Sequence, residues 1–199
     1  MKRQHFTLIE LLVVIGLIAI LAGILIPAVN GALKKADETK AKAQITTLLN
    51  AIKQFEATYG YLPTPDTYTE GNTLSDNQYD DLIAMLQNEY SGSAYTNNNT
   101  WARDPNTRQQ RFLDIVGNAP GEYLDPWGER FQIALDADNN GRISSITIAG
   151  VGNAAIAPLY QPIAIWSLGA NQSNTSHKDN VYSFPVEWDK NTEYYKLGR

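Results

Sequence analysis

The stretch FTLIELLVVIGLIAILAGILIPAVN, residues 6–30, decides the fold of this chain of 199 residues. From Phe6 to Val29 it is almost wholly apolar, broken by Thr7, Glu10 and glycines. About 20 helical residues span a bilayer core, so the segment is long enough to cross one. It exceeds the roughly 7–15 apolar residues of a signal-peptide core, and no Ala-x-Ala cleavage site closes it. The sequence therefore predicts an uncleaved, single-pass membrane anchor.

Glu10 is the charged residue inside this span. A carboxylate within an apolar span costs a few kcal/mol on insertion scales. Two interpretations stay open from the charge alone. In the first, the side chain reaches the membrane interface, because the residue lies near one end of the span. In the second, the carboxylate meets a positive partner inside an assembly.

Beyond Pro27 the helical pattern continues with a different apolar face. The apolar residues recur at spacings of four and three: Ala41, Ile45, Leu48, Ile52, Phe55 and Tyr59. Such a stripe on a polar helix predicts packing against the chain's own domain. Gly60 suits a helix C-cap, and Pro63 and Pro65 prevent continuation. We therefore predict one long helix, half in lipid and half on a sheet.

The middle of the chain predicts a second helix from Ser75 to Gln87, with Ser75 as its N-cap. Its expected buried face comprises Tyr79, Leu82, Ile83 and Leu86. Residues 91–100 are small, polar and rich in asparagine, which predicts an exposed loop. The acidic pair Asp80 and Asp81 is typical of a solvated face.

Three strands are predicted in the second half of the chain. Residues 131–135 alternate as a half-buried strand does, and residues 143–148 and 163–167 are the next candidates. Because the connection between the first two is short, an antiparallel hairpin is the simplest arrangement. The turn Leu124-Asp125-Pro126-Trp127-Gly128 precedes them and is predicted to bury its indole.

Composition excludes several function classes. The chain has no cysteine, which excludes disulfides, thiol catalysis and cysteine-based metal sites. Its two histidines, His5 and His177, lie far apart, which argues against histidine-centred acid–base or zinc chemistry. The formal net charge is −5 without a Lys/Arg cluster, so no nucleic acid is expected as a partner.

The run Phe6-Thr7-Leu8-Ile9-Glu10-Leu11-Leu12-Val13-Val14 resembles the N-terminal signature of type IV pilins and type II secretion pseudopilins. The resemblance implies cleavage between His5 and Phe6 by a prepilin peptidase, followed by N-methylation of Phe6. It also implies that Glu10 pairs with the N-terminal amine of a neighbouring subunit, and that Pro27 is the helix-kinking proline. The family usually has glycine before the cut, whereas this chain has His5.

The second half resembles the major pseudopilin of type II secretion at Asp125-Pro126-Trp127-Gly128 and at residues 165–170. In that family the loop that follows binds calcium. The corresponding positions here are Leu168, Asn171, Asp179 and Asn180, where two expected carboxylates have become amides. Calcium affinity falls with carboxylate count, so an occupied site and a self-supporting loop are both open interpretations.

A second calcium candidate is Asp136-Ala137-Asp138-Asn139-Asn140-Gly141. Asp136, Asp138 and Asn140 stand at positions one, three and five of an EF-hand loop, and glycine follows. The twelfth position is Thr147 rather than glutamate, and no flanking helices are evident. A turn between two strands is the favoured alternative, since Asn and Gly readily take positive φ.

These observations predict an α+β fold, with the long N-terminal helix packed on a small antiparallel sheet. The expected organisation is a leader (1–5), a transmembrane and polymerisation helix (6–29), an amphipathic helix (30–60) and a periplasmic globular domain (61–199). We expect no required cofactor, with Ca²⁺ as the candidate ion.

The resemblance implies a filament subunit of a type II secretion system and no enzyme activity. It implies self-association and partnership with minor pseudopilins, a prepilin peptidase, an assembly platform protein, an ATPase and the inner membrane. The N-terminus would be cytoplasmic and the C-terminal domain periplasmic. The alternatives are a type IV pilus subunit, for adhesion, motility or DNA uptake, and a membrane-tethered binding module. In the latter, Trp101, Trp127, Trp166 and Trp188 would line a groove.

Overall fold

The computed structural model describes residues 8–90, 98, 100–102, 104–115, 119–143, 146, 159–172, 179–189 and 194–197. Its elements, in chain order, are α1 (Leu8–Tyr59), α2 (Asp76–Leu86), β1 (Gln132–Leu135), β2 (Ile163–Ser167), β3 (Val181–Tyr182), β4 (Val186–Asp189) and β5 (Tyr194–Leu197). The chain divides into two compact units, Met1–Thr39 and Lys40–Arg199. Helix α1 contributes residues to both units.

The described part of the first unit is the apolar half of α1. Its large apolar side chains are between 47% and 82% exposed, the extremes being Val14 and Leu8. Among the described residues, α1 is the helix long and apolar enough to cross a membrane. The helix continues through Pro27. This unit fits a single-pass anchor, as its composition predicts.

The second unit begins with the amphipathic half of α1. Its buried residues are Ala41, Ile45, Leu48, Ala51, Ile52 and Phe55, which repeat the predicted stripe with one addition. They share a core cluster with Ile133, Leu135, Ile163 and Ile165 from two strands. Tyr59 is partly buried, and Gly60 ends the helix with φ of 82°. The predicted arrangement of a helix on a small sheet is confirmed.

Helix α2 has the predicted start. The Ser75 hydroxyl accepts the backbone N–H of Gln78 at 3.4 Å, and the Gln78 side chain accepts the backbone N–H of Ser75 at 2.9 Å. This reciprocal pair is a capping box, which satisfies two backbone donors at the helix N-terminus. The predicted face of Tyr79, Leu82, Ile83 and Leu86 is buried. Local pattern and tertiary packing agree in this segment.

The main sheet has strand order β1-β2-β3, and both pairings are antiparallel. The register places Gln132 opposite Trp166 and Leu135 opposite Ile163. The predicted hairpin between residues 131–135 and 143–148 is not seen among the described residues, in which β1 pairs with β2, and residues 144–145 and 147–148 lie outside them. All five residues of β2 are buried, as expected for a middle strand covered on both faces.

The predicted strand at residues 143–148 is only partly described. Ile143 forms an isolated antiparallel bridge with Leu159, and Ile146 is buried. Both belong to a second core cluster on the other face of the sheet, together with Ala134, Ala164, Trp166, Leu168 and Phe184. Strand β1 is therefore buried on both faces, whereas its alternation predicted burial on one.

Strands β4 and β5 form a separate antiparallel pair, in which Val186 lies opposite Leu197 and Asp189 opposite Tyr194. The sequence patterns did not predict them.

Candidate functional site

The predicted processing site, His5 and Phe6, lies outside the described residues. Glu10 lies in the first turn of α1, where a negative charge is favoured by the helix dipole. Its neighbours Ile9 and Leu11 are 70% and 57% exposed. Its carboxylate thus lies on a helix surface whose apolar side chains are not covered by the described part of the chain.

Pro27 lies inside α1, within the same exposed apolar half. Proline has no backbone N–H, so it cannot donate the helical hydrogen bond to the carbonyl of Gly23, four residues earlier. An unsatisfied carbonyl is costly in lipid and is tolerated where a neighbouring helix or side chain reaches it.

The C-terminal loop brings together two of its four predicted ligand residues. The backbone N–H of Asn171 donates to Asp179 Oδ2 at 2.8 Å, and the Asn171 side-chain amide donates to Asp179 Oδ1 at 2.7 Å. Gly169 lies against the same aspartate, since a Cβ on this residue would lie 2.2 Å from the Asp179 carbonyl oxygen. Glycine is therefore required at this position. Leu168 is buried.

Asn180, the fourth predicted ligand, has a different environment. Its side-chain N–H₂ donates to the Tyr182 hydroxyl at 3.1 Å. Its Oδ1 is buried and has no hydrogen-bond partner among the described residues. An amide oxygen of this kind is an acceptable calcium ligand that carries no net charge.

The turn at residues 124–128 is joined to this loop by Asp125, a residue of the quoted turn motif whose contact with Ser167 the sequence did not predict. Asp125 Oδ1 accepts the backbone N–H groups of Trp127 and Glu129 at 3.0 and 2.9 Å. Its Oδ2 accepts the Ser167 hydroxyl at 2.6 Å, and the Ser167 oxygen accepts the N–H of Gly169 at 3.0 Å. Asp125 is buried, whereas the indole of Trp127 is only partly buried, so the prediction of a buried indole holds in part.

The second calcium candidate is a turn whose acceptors serve its own backbone. Asp136 Oδ2 accepts the N–H of Gly141 at 2.7 Å, and Asp138 Oδ1 accepts the N–H of Asn140 at 3.2 Å. Glu70, which the sequence pattern did not include, joins Asp136 and Asp138 with oxygens within 4.8 Å of one another. Asp136 is buried, but its hydrogen bonds are those of a capped turn.

The acidic pair Asp80 and Asp81 departs from the predicted solvated face. Asp80 accepts two hydrogen bonds from the Arg130 guanidinium, both at 2.8 Å. Asp81 is fully buried and accepts the backbone N–H groups of Asn98 and Thr100 at 2.9 and 3.0 Å. The Thr100 hydroxyl donates to it at 2.6 Å.

Thr100 is itself buried, so the prediction of an exposed loop over residues 91–100 is wrong at its last residue. Residues 91–97 and 99 lie outside the described part.

The tryptophans do not share one groove. Trp101 lines a surface groove of about 600 Å³ together with Tyr61, Asp66 and Asp104. Trp166 belongs to the second core cluster, on the other face of the sheet, and is 2% exposed. The side chain of Trp188 lies outside the described side chains. The hypothesis of an aromatic surface built from all four is therefore wrong.

Known proteins resemble the chain, one over most of its length and others over about a third of it. Type II secretion system core protein G of Vibrio cholerae is 26% identical over 167 residues, which cover 84% of this chain and 94% of that protein. The type IV wide pilus major component PilA4 of Thermus thermophilus is 48% identical over 58 residues, or 29% of this chain and 41% of that protein. Prepilin peptidase-dependent protein D of Escherichia coli is 41% identical over 70 residues, which cover 35% of this chain and 48% of that protein. No family model and no solved structure matches the chain.

Proposed function

The chain belongs to the family of type IV pilins and type II secretion pseudopilins, and we propose that it polymerises into the filament of a type II secretion system. It would act as a structural subunit that supports protein secretion and catalyses no reaction. The similarity to type II secretion system core protein G, which covers 84% of this chain and 94% of that protein, favours the secretion filament over a pilus.

The observation that carries the proposal is the exposed apolar half of α1. Its large side chains extend from Leu8 to Leu33 and remain uncovered by the described part of the chain. Exposed apolar surface of this extent requires either lipid or other protein. A subunit that first rests in the membrane and then packs its helix against other copies satisfies both conditions in turn.

Glu10 supplies the reason for the transfer from lipid to filament. In lipid its carboxylate is costly, while beside a positive group from another copy that cost is offset. The proposed positive group is the N-terminal amine of a neighbouring subunit, created by cleavage between His5 and Phe6 and methylated on Phe6. Pro27 would relax the helix where copies pack together, since a missing backbone bond permits bending.

The proposed partners follow from this cycle. A prepilin peptidase would cleave the leader, an ATPase and a platform protein would drive assembly, and minor pseudopilins would join the filament. The N-terminus would lie in the cytoplasm and the C-terminal domain in the periplasm before assembly. The charges that flank the span do not decide this orientation, because Lys2 and Arg3 precede the span and Lys34 and Lys35 follow it.

A second candidate function is a type IV pilus subunit, which is favoured by the 48% identity to a type IV wide pilus component over 58 residues. Deleting the secretion ATPase and, separately, the pilus ATPase in the native host distinguishes the two. The filament is expected to disappear with the secretion ATPase.

The central test replaces Glu10 by leucine in the native host. We expect Glu10→Leu to insert in the membrane, keep a folded domain and form no filaments, with secretion lost. Glu38→Leu is the matched control, because Glu38 is also a glutamate of α1 but lies beyond its apolar half, where it forms an ion pair with Lys35 at 3.4 Å. Filaments of Glu10→Leu equal in number and length to those of the wild type would refute the proposal.

Intact mass and the N-terminal residue of the protein purified from its native membrane test the processing. A chain beginning with N-methylated Phe6 is expected. A mature chain that still begins with Met1 would contradict the prepilin cycle and favour a tethered module.

A further inference from the structure

The loop that resembles a calcium site has its charged group already engaged. Among Leu168, Asn171, Asp179 and Asn180, the single carboxylate is that of Asp179. Each of its oxygens accepts an N–H from Asn171, at 2.8 and 2.7 Å. Calcium binds six to eight oxygens, so an ion here would share its one carboxylate with two charge-assisted hydrogen bonds and would gain no second carboxylate from these four residues.

The orientation of the Asn171 amide follows from chemistry. Its terminal atom lies 2.7 Å from Asp179 Oδ1. An amide oxygen at that distance from a carboxylate oxygen would be repelled, so the amide nitrogen must face the carboxylate. Asn171 therefore presents a donor where a metal site requires an oxygen.

We propose that the hydrogen-bonded pair Asn171–Asp179 replaces the calcium ion and makes the folding of this loop independent of calcium. The pair, hereafter the amide clasp, joins residues 171 and 179, and residues 173–178 between them lie outside the described part of the chain. This inference concerns the domain alone and does not depend on the proposed filament function.

Other contacts of the described residues support the amide clasp from both sides. The side-chain amide of Gln172 donates to the carbonyl of Trp127 at 2.7 Å. Ser167 donates to the buried carboxylate of Asp125 at 2.6 Å, and Gly169 lies directly against the Asp179 backbone. The two ends of the loop are thus held by the protein's own donors and acceptors.

The Asn180 oxygen, which is buried and has no hydrogen-bond partner among the described residues, supplies one neutral ligand atom. Together with Asp179 it leaves a cation site one carboxylate or more short of what calcium prefers. This oxygen makes the inference testable, because a second carboxylate at residue 171 would stand close to an existing candidate ligand.

The test compares wild type, Asn171→Asp and Asn171→Ala as full-length chains in detergent, by thermal unfolding in EGTA, in 1 mM calcium and in 1 mM magnesium. The wild type is expected to unfold at the same temperature in all three. In Asn171→Asp two carboxylates face each other, so we expect a lower unfolding temperature than that of the wild type in EGTA. Calcium should raise this temperature by about 3–6 °C, and magnesium should not.

Asn171→Ala removes the side-chain donor without adding a charge, so its unfolding temperature should fall below that of the wild type by the same amount in EGTA and in calcium. It also keeps the test decisive if Asn171→Asp does not fold in EGTA. Asn50→Asp, on the exposed face of α1, is the control for an added charge and should not respond to calcium.

Calcium stabilisation of the wild type by several degrees would overturn the inference. So would an Asn171→Ala variant as stable as the wild type in EGTA.

Discussion

The two halves of α1 show the same backbone structure with opposite surroundings. From Leu8 to Leu33 the large apolar side chains are at least 47% exposed. From Ala41 to Phe55 the apolar stripe is at most 3% exposed. Helical hydrogen bonding is therefore independent of what covers the side chains. One half is stabilised by its own domain, and the other requires lipid or further copies of the chain.

The same contrast holds for carboxylates. Asp81 is fully buried, and the chain itself supplies three donors to it from Asn98 and Thr100. Glu10 lies on the apolar half of α1, where assembly is proposed to supply a positive partner. A domain that satisfies its interior charges can fold before assembly, whereas Glu10 is proposed to act only when copies of the chain associate.

The largest expected effect comes from removing a ring from the covered half. Phe55 is fully buried and contacts the rings of Tyr59, Tyr61 and Phe112 with centroids 4.5–5.6 Å away. We expect Phe55→Ala to lower the free energy of unfolding by about 3–5 kcal/mol. Urea unfolding of the full-length chain in detergent, followed by tryptophan fluorescence, measures this change.

The matched change in the uncovered half is Leu25→Ala. Leu25 is 58% exposed, so the free energy of unfolding should change by less than about 0.5 kcal/mol. Equal losses for Phe55→Ala and Leu25→Ala would break the comparison, because the two halves would then share one cooperative core.

An intermediate effect is expected at the buried carboxylate. Asp81→Asn replaces an acceptor oxygen by an N–H₂ group facing the donors of Thr100, so we expect a loss of about 2–3 kcal/mol in the free energy of unfolding. Asp114→Asn is the control, since Asp114 is 81% exposed and pairs with Arg111 at 3.5 Å. The urea midpoints of both variants measure the difference, and a loss no larger than that of Asp114→Asn would contradict the anchoring role of Asp81.

Features encoded within a few residues could be predicted from the sequence. The α1 stripe repeats every three or four positions, and the capping box joins Ser75 to Gln78. The partner of β1 could not be predicted in this way, because its choice depends on which faces of the sheet are covered. Short connections favoured a local hairpin, whereas the described residues pair β1 with β2, a middle strand whose five residues are all buried.

The candidate sites also divide into those encoded by neighbouring residues and those that only the fold brings together. The signature around Phe6 and Glu10 is contiguous, so residue order alone supports the prediction. Glu70 lies beside Asp136 only because of the fold, and Asp125 reaches Ser167 across 42 positions. Nothing in the pattern of Asp80 and Asp81 distinguishes a solvated pair from a buried anchor. Charge pairs of this kind are set by tertiary packing.

The last effect tests the covered half of the chain through pH. Burial raises the pKa of Tyr79 well above the ordinary tyrosine value of 10, and its hydroxyl donates to the carbonyl of Tyr123. The folded state therefore holds the neutral phenol, while the unfolded chain ionises near pH 10. The stabilisation is fully present below pH 10 and decreases as the pH rises above it.

Tyr79→Phe should reduce the slope of unfolding free energy against pH, above pH 10, by up to about 1.4 kcal/mol per pH unit. Burial also raises the pKa of Tyr123, so part of the wild-type slope should remain. Tyr160→Phe is the control, because Tyr160 is 77% exposed and should leave the slope unchanged. Urea unfolding between pH 9 and about 11.5 measures all three chains. If Tyr79→Phe kept the wild-type slope, the phenol would be reaching water in the folded state, and the core beneath α2 would be more open than the buried ring implies.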